Sequence, residues 1–161
     1  MSCAALTLAA SLALADMYGA GPASQAAVAS TQAVSPLASE PLYADIVGRA
    51  RVLQTEVEKF RALPGLAASA QPVALPGFGR FKTDAAKLAE LDMQGHFDLA
   101  KRGTDGDLKC ILKGISQDIA VKIEAVEQAK TGAEQDQALD DLAYLLNDNV
   151  GVITAPPKPP V

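Results

Sequence analysis

Histidine and cysteine are the side chains best suited to act near neutral pH as base, nucleophile or metal ligand. This chain has one histidine, His96, and two cysteines, Cys3 and Cys110. Their spacing matches no zinc pattern, and His96 has no Cys, Asp or Glu partner at metal-ligand distance in sequence, so no metal site is expected. His96 is instead expected as a packing or surface residue, or as a contact to a small apolar ligand held between helices. If residues before Asp16 are removed, Cys110 is expected as a lone, half-buried thiol. Two carboxylate pairs remain, Asp105-Gly106-Asp107 and Asp140-Asp141. The first has the start of a calcium loop but not its spaced ligands or its closing glutamate. Both pairs lie where acidic residues are routine on helices. The chain has no G-x-S-x-G, no P-loop, no dinucleotide-binding glycine fingerprint and no H-E-x-x-H. The expectation is a protein without catalytic, cofactor or metal machinery.

Helices have to position whatever chemistry there is. Leu108, Ile111, Leu112, Ile115, Ile119, Ile123 and Val126 recur at a period near 3.6 and predict a core helix over 105–130. Thr104, Asp105 and Asp107 stand ready to cap its start, with Lys130 and Gly132 at its end. Leu42, Ile46, Ala50, Leu53, Val57 and Phe60 predict a helix over 41–63, opened by Ser39-Glu40-Pro41. Ala85, Leu88, Leu91 and Leu99 predict a third over 83–102, capped by Thr83-Asp84 and interrupted at Gly95. Thr131-Gly132-Ala133-Glu134 reads as a capping box. It opens a last helix over 132–149 whose inner face is Ala138, Leu139, Leu142, Leu145, Leu146 and Val150, with Asn147, Asn149 and Gly151 as stop signals. The fold class is therefore all-α, a four-helix bundle. Its first two helices are joined by the long Pro64–Lys82 stretch, whose apolar members suggest that it lies on the bundle.

The back of the helix over 105–130 carries a second, shallow face. Cys110, Gly114, Val121 and Ala125 lie within about a quarter-turn of one another, roughly opposite Leu108 and Ile115. Small residues allow close approach, so this face, with Lys113 beside it, is expected to seat another segment of the chain or a second protein. Cys110-Ile111-Leu112-Lys113-Gly114 resembles the H-x-L-K-G core of histidine-containing phosphotransfer domains, four-helix bundles in which an exposed histidine accepts a phosphoryl group from a response regulator. The resemblance implies that Gly114 gives an incoming receiver domain room and that Lys113 helps with phosphate charge. Cys110 stands where the phosphorylated histidine would be, so what it implies is a degenerate cytoplasmic docking adaptor rather than a phosphoryl carrier.

Flanking composition completes the organisation. Cys3–Ala15 is an uninterrupted apolar run ending in Ala13-Leu14-Ala15, the pattern of a signal peptide cleaved before Asp16, although Met1-Ser2 carries no cation. The run is too short to span a membrane. Residues 16–39 read as an Ala/Ser-rich linker, 40–151 as the bundle domain, and 152–161 as a Pro-rich tail of polyproline II character. A net charge of −5 without a basic cluster argues against nucleic-acid binding. The combined expectation is a non-enzymatic helical protein, periplasmic or secreted, that works through a protein partner or self-association.

Overall fold

Apolar residues spaced three and four apart call for four amphipathic helices, and four form: α1 (Pro41–Arg61), α2 (Phe78–Arg102), α3 (Gly106–Gln128) and α4 (Gly132–Thr154). The structure is a computed structural model and describes residues 35–103 and 106–155. The leader-like run, most of the expected linker, the caps Thr104 and Asp105, and the Pro-rich residues after Ala155 lie outside the described residues. Neighbouring helices run antiparallel, with α1 against α2 and α4, and α3 against α2 and α4. The all-α four-helix bundle is thus the architecture, with α1 facing α3, and α2 facing α4, across its two diagonals. No helix among the described residues is long and apolar enough to cross a membrane.

The inner stripes follow the periodicity closely. On α3, Leu108, Leu112, Ile115, Ile119, Ile123 and Val126 are buried, and Ile111 falls at the rim, half-buried. On α1 the buried residue of the first turn is Tyr43 rather than Leu42, which is half-buried. Burying these stripes stabilises the bundle by roughly 1.5–3 kcal/mol per large aliphatic side chain, the dominant favourable contribution in a helical core.

Helix ends depart from the local signals where packing outweighs them. The second helix starts at Phe78, five residues before the expected start. Phe78 and Phe81 pack with Phe60 of α1 as an aromatic trio, with ring centroids 5.6–5.7 Å apart. Gly77 supplies the left-handed turn before it, at φ +84. Thr83 consequently sits inside α2, its hydroxyl donating to the Gly79 carbonyl at 3.2 Å instead of capping. Ser39 does not cap α1 either: its hydroxyl donates back to the Pro36 carbonyl at 2.6 Å. Pro36–Ser39 forms a 3₁₀ turn that buries Leu37 against the bundle, so the last residues of the expected linker belong to the core. At the other terminus α4 passes the expected stop at Asn149 and continues to Thr154, because Asn149 and Ile153 are both fully buried. The cap at Thr131 forms as expected. Its hydroxyl accepts from the Glu134 N–H at 3.1 Å, and the Glu134 carboxylate accepts from the Lys130 N–H at 2.7 Å, one residue before the usual reciprocal position.

The connection from 62 to 77 lies down on the start of α4. Leu66 is buried. The Gly132 N–H donates to the Ser69 carbonyl at 3.0 Å. The Gln135 carboxamide brackets Val73, accepting from its N–H at 2.8 Å and donating to its carbonyl at 3.1 Å. This docking requires a residue without a side chain at 132, where a Cβ would stand 1.9 Å from the Leu66 carbonyl oxygen. At Gly48, on the exposed side of α1, a Cβ would meet nothing within 4 Å. Gly132→Ala is therefore expected to lower stability by roughly 1–3 kcal/mol through overpacking. Gly48→Ala should raise it by roughly 0.5–1 kcal/mol through helix propensity alone. Urea denaturation of both variants checks the pair, and an equal gain in each would show that the connection does not rest on Gly132.

Candidate functional site

The residues with chemical potential end up in three separate places. His96 is half-buried at the seam between α2 and α3, where its Nδ1 lies 2.7 Å from the Lys109 carbonyl oxygen. A carbonyl only accepts, so Nδ1 carries the proton and donates. The same seam is tied by the Ser116 hydroxyl donating to the Ala89 carbonyl at 2.8 Å and by a Lys82–Glu127 ion pair at 2.6 Å. His96 thus has a structural bond of its own. Surface depressions of about 430 Å³ beside Phe60 and Arg80, and about 470 Å³ beside Arg49 and Leu53, are lined by neither His96 nor Cys110. No group of three or more His, Cys, Asp or Glu side chains able to hold a metal ion occurs among the described residues.

The second face of α3 points outward. Lys113, Val121 and Ala125 are exposed, and Cys110 and Gly114 are half-buried. A Cβ at Gly114 would meet nothing within 4 Å. Cys110 is not a free thiol in the structure of the full chain. The carboxylates of Asp140 and Asp141 turn to opposite neighbours, Asp140 to Arg61 of α1 at 2.8 Å and Asp141 to Lys122 of α3 at 2.9 Å. Adjacent acids on α4 therefore serve two helix seams rather than one site.

Two polar clusters match no sequence motif. The first joins the start of α1 to the end of α2. Tyr43, fully buried, donates its hydroxyl to Asp98 at 2.8 Å, and Arg102 pairs with Asp98 at 2.7 Å and with both oxygens of Glu40 at 2.9 and 2.6 Å. The guanidinium also lies 5.9 Å from the centre of the Tyr43 ring. Burial, and then the Asp98 carboxylate, hold the Tyr43 hydroxyl far above its ordinary range. The Tyr43 hydrogen bond is the main cause that holds Asp98 below its ordinary range, and the Arg102 hydrogen bond does the same for Glu40.

The second cluster is a buried acid–amide pair. Asp92 of α2 and Asn149 of α4 are both fully buried, and the Asn149 amide donates to Asp92 Oδ2 at 2.7 Å. Burial pushes the Asp92 carboxyl up to about 7, and the Asn149 hydrogen bond opposes that rise. A group titrating there has the acidity of a general acid or base, but these partners give it a structural setting. A signal for Asp92 was present in the sequence. It falls in the inner series Leu88, Asp92, Gly95, Leu99, a carboxylate at a core position. Gly95 belongs to the same series and is no interruption: a Cβ there would stand 3.0 Å from Leu112 and 3.4 Å from Tyr43. Asn149 gave no such signal, because its residue type is that of a helix end.

Glu40, Asp98 and Asp141 all have folded-state acidities lowered by their partners. Such groups stabilise the fold above the ordinary carboxylate range, and that contribution is lost as pH falls through their lower folded values. Arg102→Gln is therefore expected to flatten the loss of stability between about pH 5 and about pH 2. Thermal midpoints across that range check this, and an unchanged acid limb would show that Arg102 and its partners do not set it. No protein-family model matches this chain, and no curated protein or solved structure is detectably similar to it.

Proposed function

We propose that this chain is a non-enzymatic, exported helical protein of a cell envelope that acts by binding or assembling with another protein through the outer face of α3. The observation that carries the reading is exposed apolar surface beside an ion pair on the outer side of α3 and α4. Val121 is 60% exposed and Tyr144 is 68% exposed. Val121 immediately precedes Lys122, and Tyr144 follows Asp141 by less than one turn, so both border the ion pair that joins α3 to α4. Gly114 and Ala125 extend the patch along α3 with small side chains that let a partner backbone approach. Large exposed apolar groups beside small ones, rimmed by charge, are the usual make-up of a recognition surface. The leader-like Cys3–Ala15 run supports export.

A second reading is a degenerate phosphotransfer-type adaptor whose partner is a receiver domain. The four-helix architecture and the open space over Gly114 beside the exposed Lys113 favour it. The mature N-terminus separates the two: a start at or near Asp16 supports export, whereas an intact Met1 or Ser2 supports the adaptor.

The double substitution Val121→Glu, Ala125→Arg replaces exposed side chains, so stability should change by no more than roughly 0.5 kcal/mol. Light scattering after size exclusion, with a pull-down from envelope fractions, is expected to show self-association or a partner for the parent chain and its loss in the double variant. Strictly monomeric parent protein with no retained partner would end the proposal.

A further inference from the structure

Asp92 and Asn149 leave a pair of atoms unaccounted for. With the Asn149 amide donating to Asp92 Oδ2, Asp92 Oδ1 and Asn149 Oδ1 are both buried and have no hydrogen-bond partner. An ionised carboxylate offers only acceptors, and the amide oxygen is an acceptor too, so the charged pair cannot satisfy itself. Burying such groups unpaired is expensive, and an unpaired buried charge more so. One proton answers both deficits. Placed on Asp92 Oδ1 it creates a hydroxyl donor, and the acceptor left over in the pair is Asn149 Oδ1.

We infer that Asp92 is kept as a neutral carboxylic acid in the folded bundle, closing a two-bond ring with Asn149, and that release of its proton to solvent loosens the α2–α4 diagonal. The pair is then a proton-operated latch, because α2 and α4 are not neighbours in the bundle and this bond joins them through its centre.

Among the described residues, the surroundings offer no counter-ion that would replace the proton. On α2 itself, Asp98 is committed to Tyr43 and Arg102, and His96 to the Lys109 carbonyl. From α1 the titratable group at this level is Tyr43, whose hydroxyl goes to Asp98, while Asp45 and Arg49 pair with each other near the surface. The inner face of α3 is Leu108, Leu112 and Ile115, with Lys109 half-buried at the seam and Lys113 exposed. From α4 come Asn149 and the half-buried Asp148. Burial and the Asn149 bond are the causes that set the acidity of Asp92, and no charged side chain is among them.

The direction follows from the carboxyl being raised from 3.8 to about 7 on folding. In that interval the folded chain holds a proton that the unfolded chain has released. Stability from this group is complete below about pH 4, falls as pH rises, and levels off above about pH 7. This is opposite to the acid limb of Glu40 and Asp98, so the two are separable.

The test is equilibrium urea unfolding of the full chain and of Asp92→Asn, which keeps the shape and a donor but cannot ionise. For the parent chain, the unfolding constant should rise on the order of a thousandfold between about pH 4 and about pH 8, since each pH unit across which only the folded chain holds the proton multiplies it by about ten. In Asp92→Asn that rise should be absent. Parallel profiles for the two proteins would overturn the inference. Should Asp92→Asn fail to fold, a ¹³C titration of the Asp92 carboxyl in the parent chain decides alone. A midpoint near neutrality supports the latch, and one in the ordinary aspartate range overturns it.

Discussion

A carboxyl and a carboxamide enclosed at the centre of an apolar bundle constrain everything packed around them. Both are fully buried, and neither tolerates an unmet hydrogen bond at that depth. The pair therefore sets the rotation of both helices together. Leu88, Gly95 and Leu99 follow on α2 from Asp92 facing inward, and Leu142, Leu146 and Ile153 follow on α4 from Asn149. A polar pair of this kind contributes less net stability than aliphatic packing of equal volume. Its effect is selective, because arrangements that rotate either helix leave buried polar atoms unpaired.

Around this centre each seam has its own means of holding. The α2–α3 seam uses side chains on backbone carbonyls, from His96 and Ser116, with Lys82–Glu127 at its end. The α1–α2 seam closes at one end through Tyr43, Asp98 and Arg102 and at the other through the Phe60, Phe78 and Phe81 rings. The α3–α4 and α1–α4 seams share the adjacent acids Asp140 and Asp141. Exposed ion pairs of this sort are worth little individually, on the order of 0–1 kcal/mol. Their value lies in matching each helix to its proper neighbour at the proper height.

The connection between α1 and α2 is long for a compact domain, and it is held by specific bonds rather than by apolar contact alone. Gln135 treats Val73 as a strand partner would, meeting both its N–H and its carbonyl. Gly132 lets the chain at Leu66 come close enough for its own N–H to be met by Ser69. The connection thereby covers the start of α4, and the outer face of α3 keeps Lys113, Val121 and Ala125 exposed for the recognition role proposed above.

Local residue order was enough to specify the elements. Four apolar periods, the Thr131 cap with Glu134, and the Pro/Gly punctuation after Leu63 are local features, since one turn of helix or one cap is specified by residues within about four positions. The outward position of Val121 and Ala125 on α3 was legible on the same basis, because it is a property of one helix. What depends on residues far apart in the chain emerged only when the helices packed. Asn149 continues a helix that its residue type would end, because Asp92 waits 57 residues away with a hydrogen bond that solvent cannot replace. Gly95 reads as an interruption and Gly132 as a helix boundary, and both prove to be points of closest packing. Phe78 and Phe81 start α2 early because Phe60 offers them burial. In each case the free energy of burial, gained only once the helices meet, exceeds a local preference worth a fraction of it.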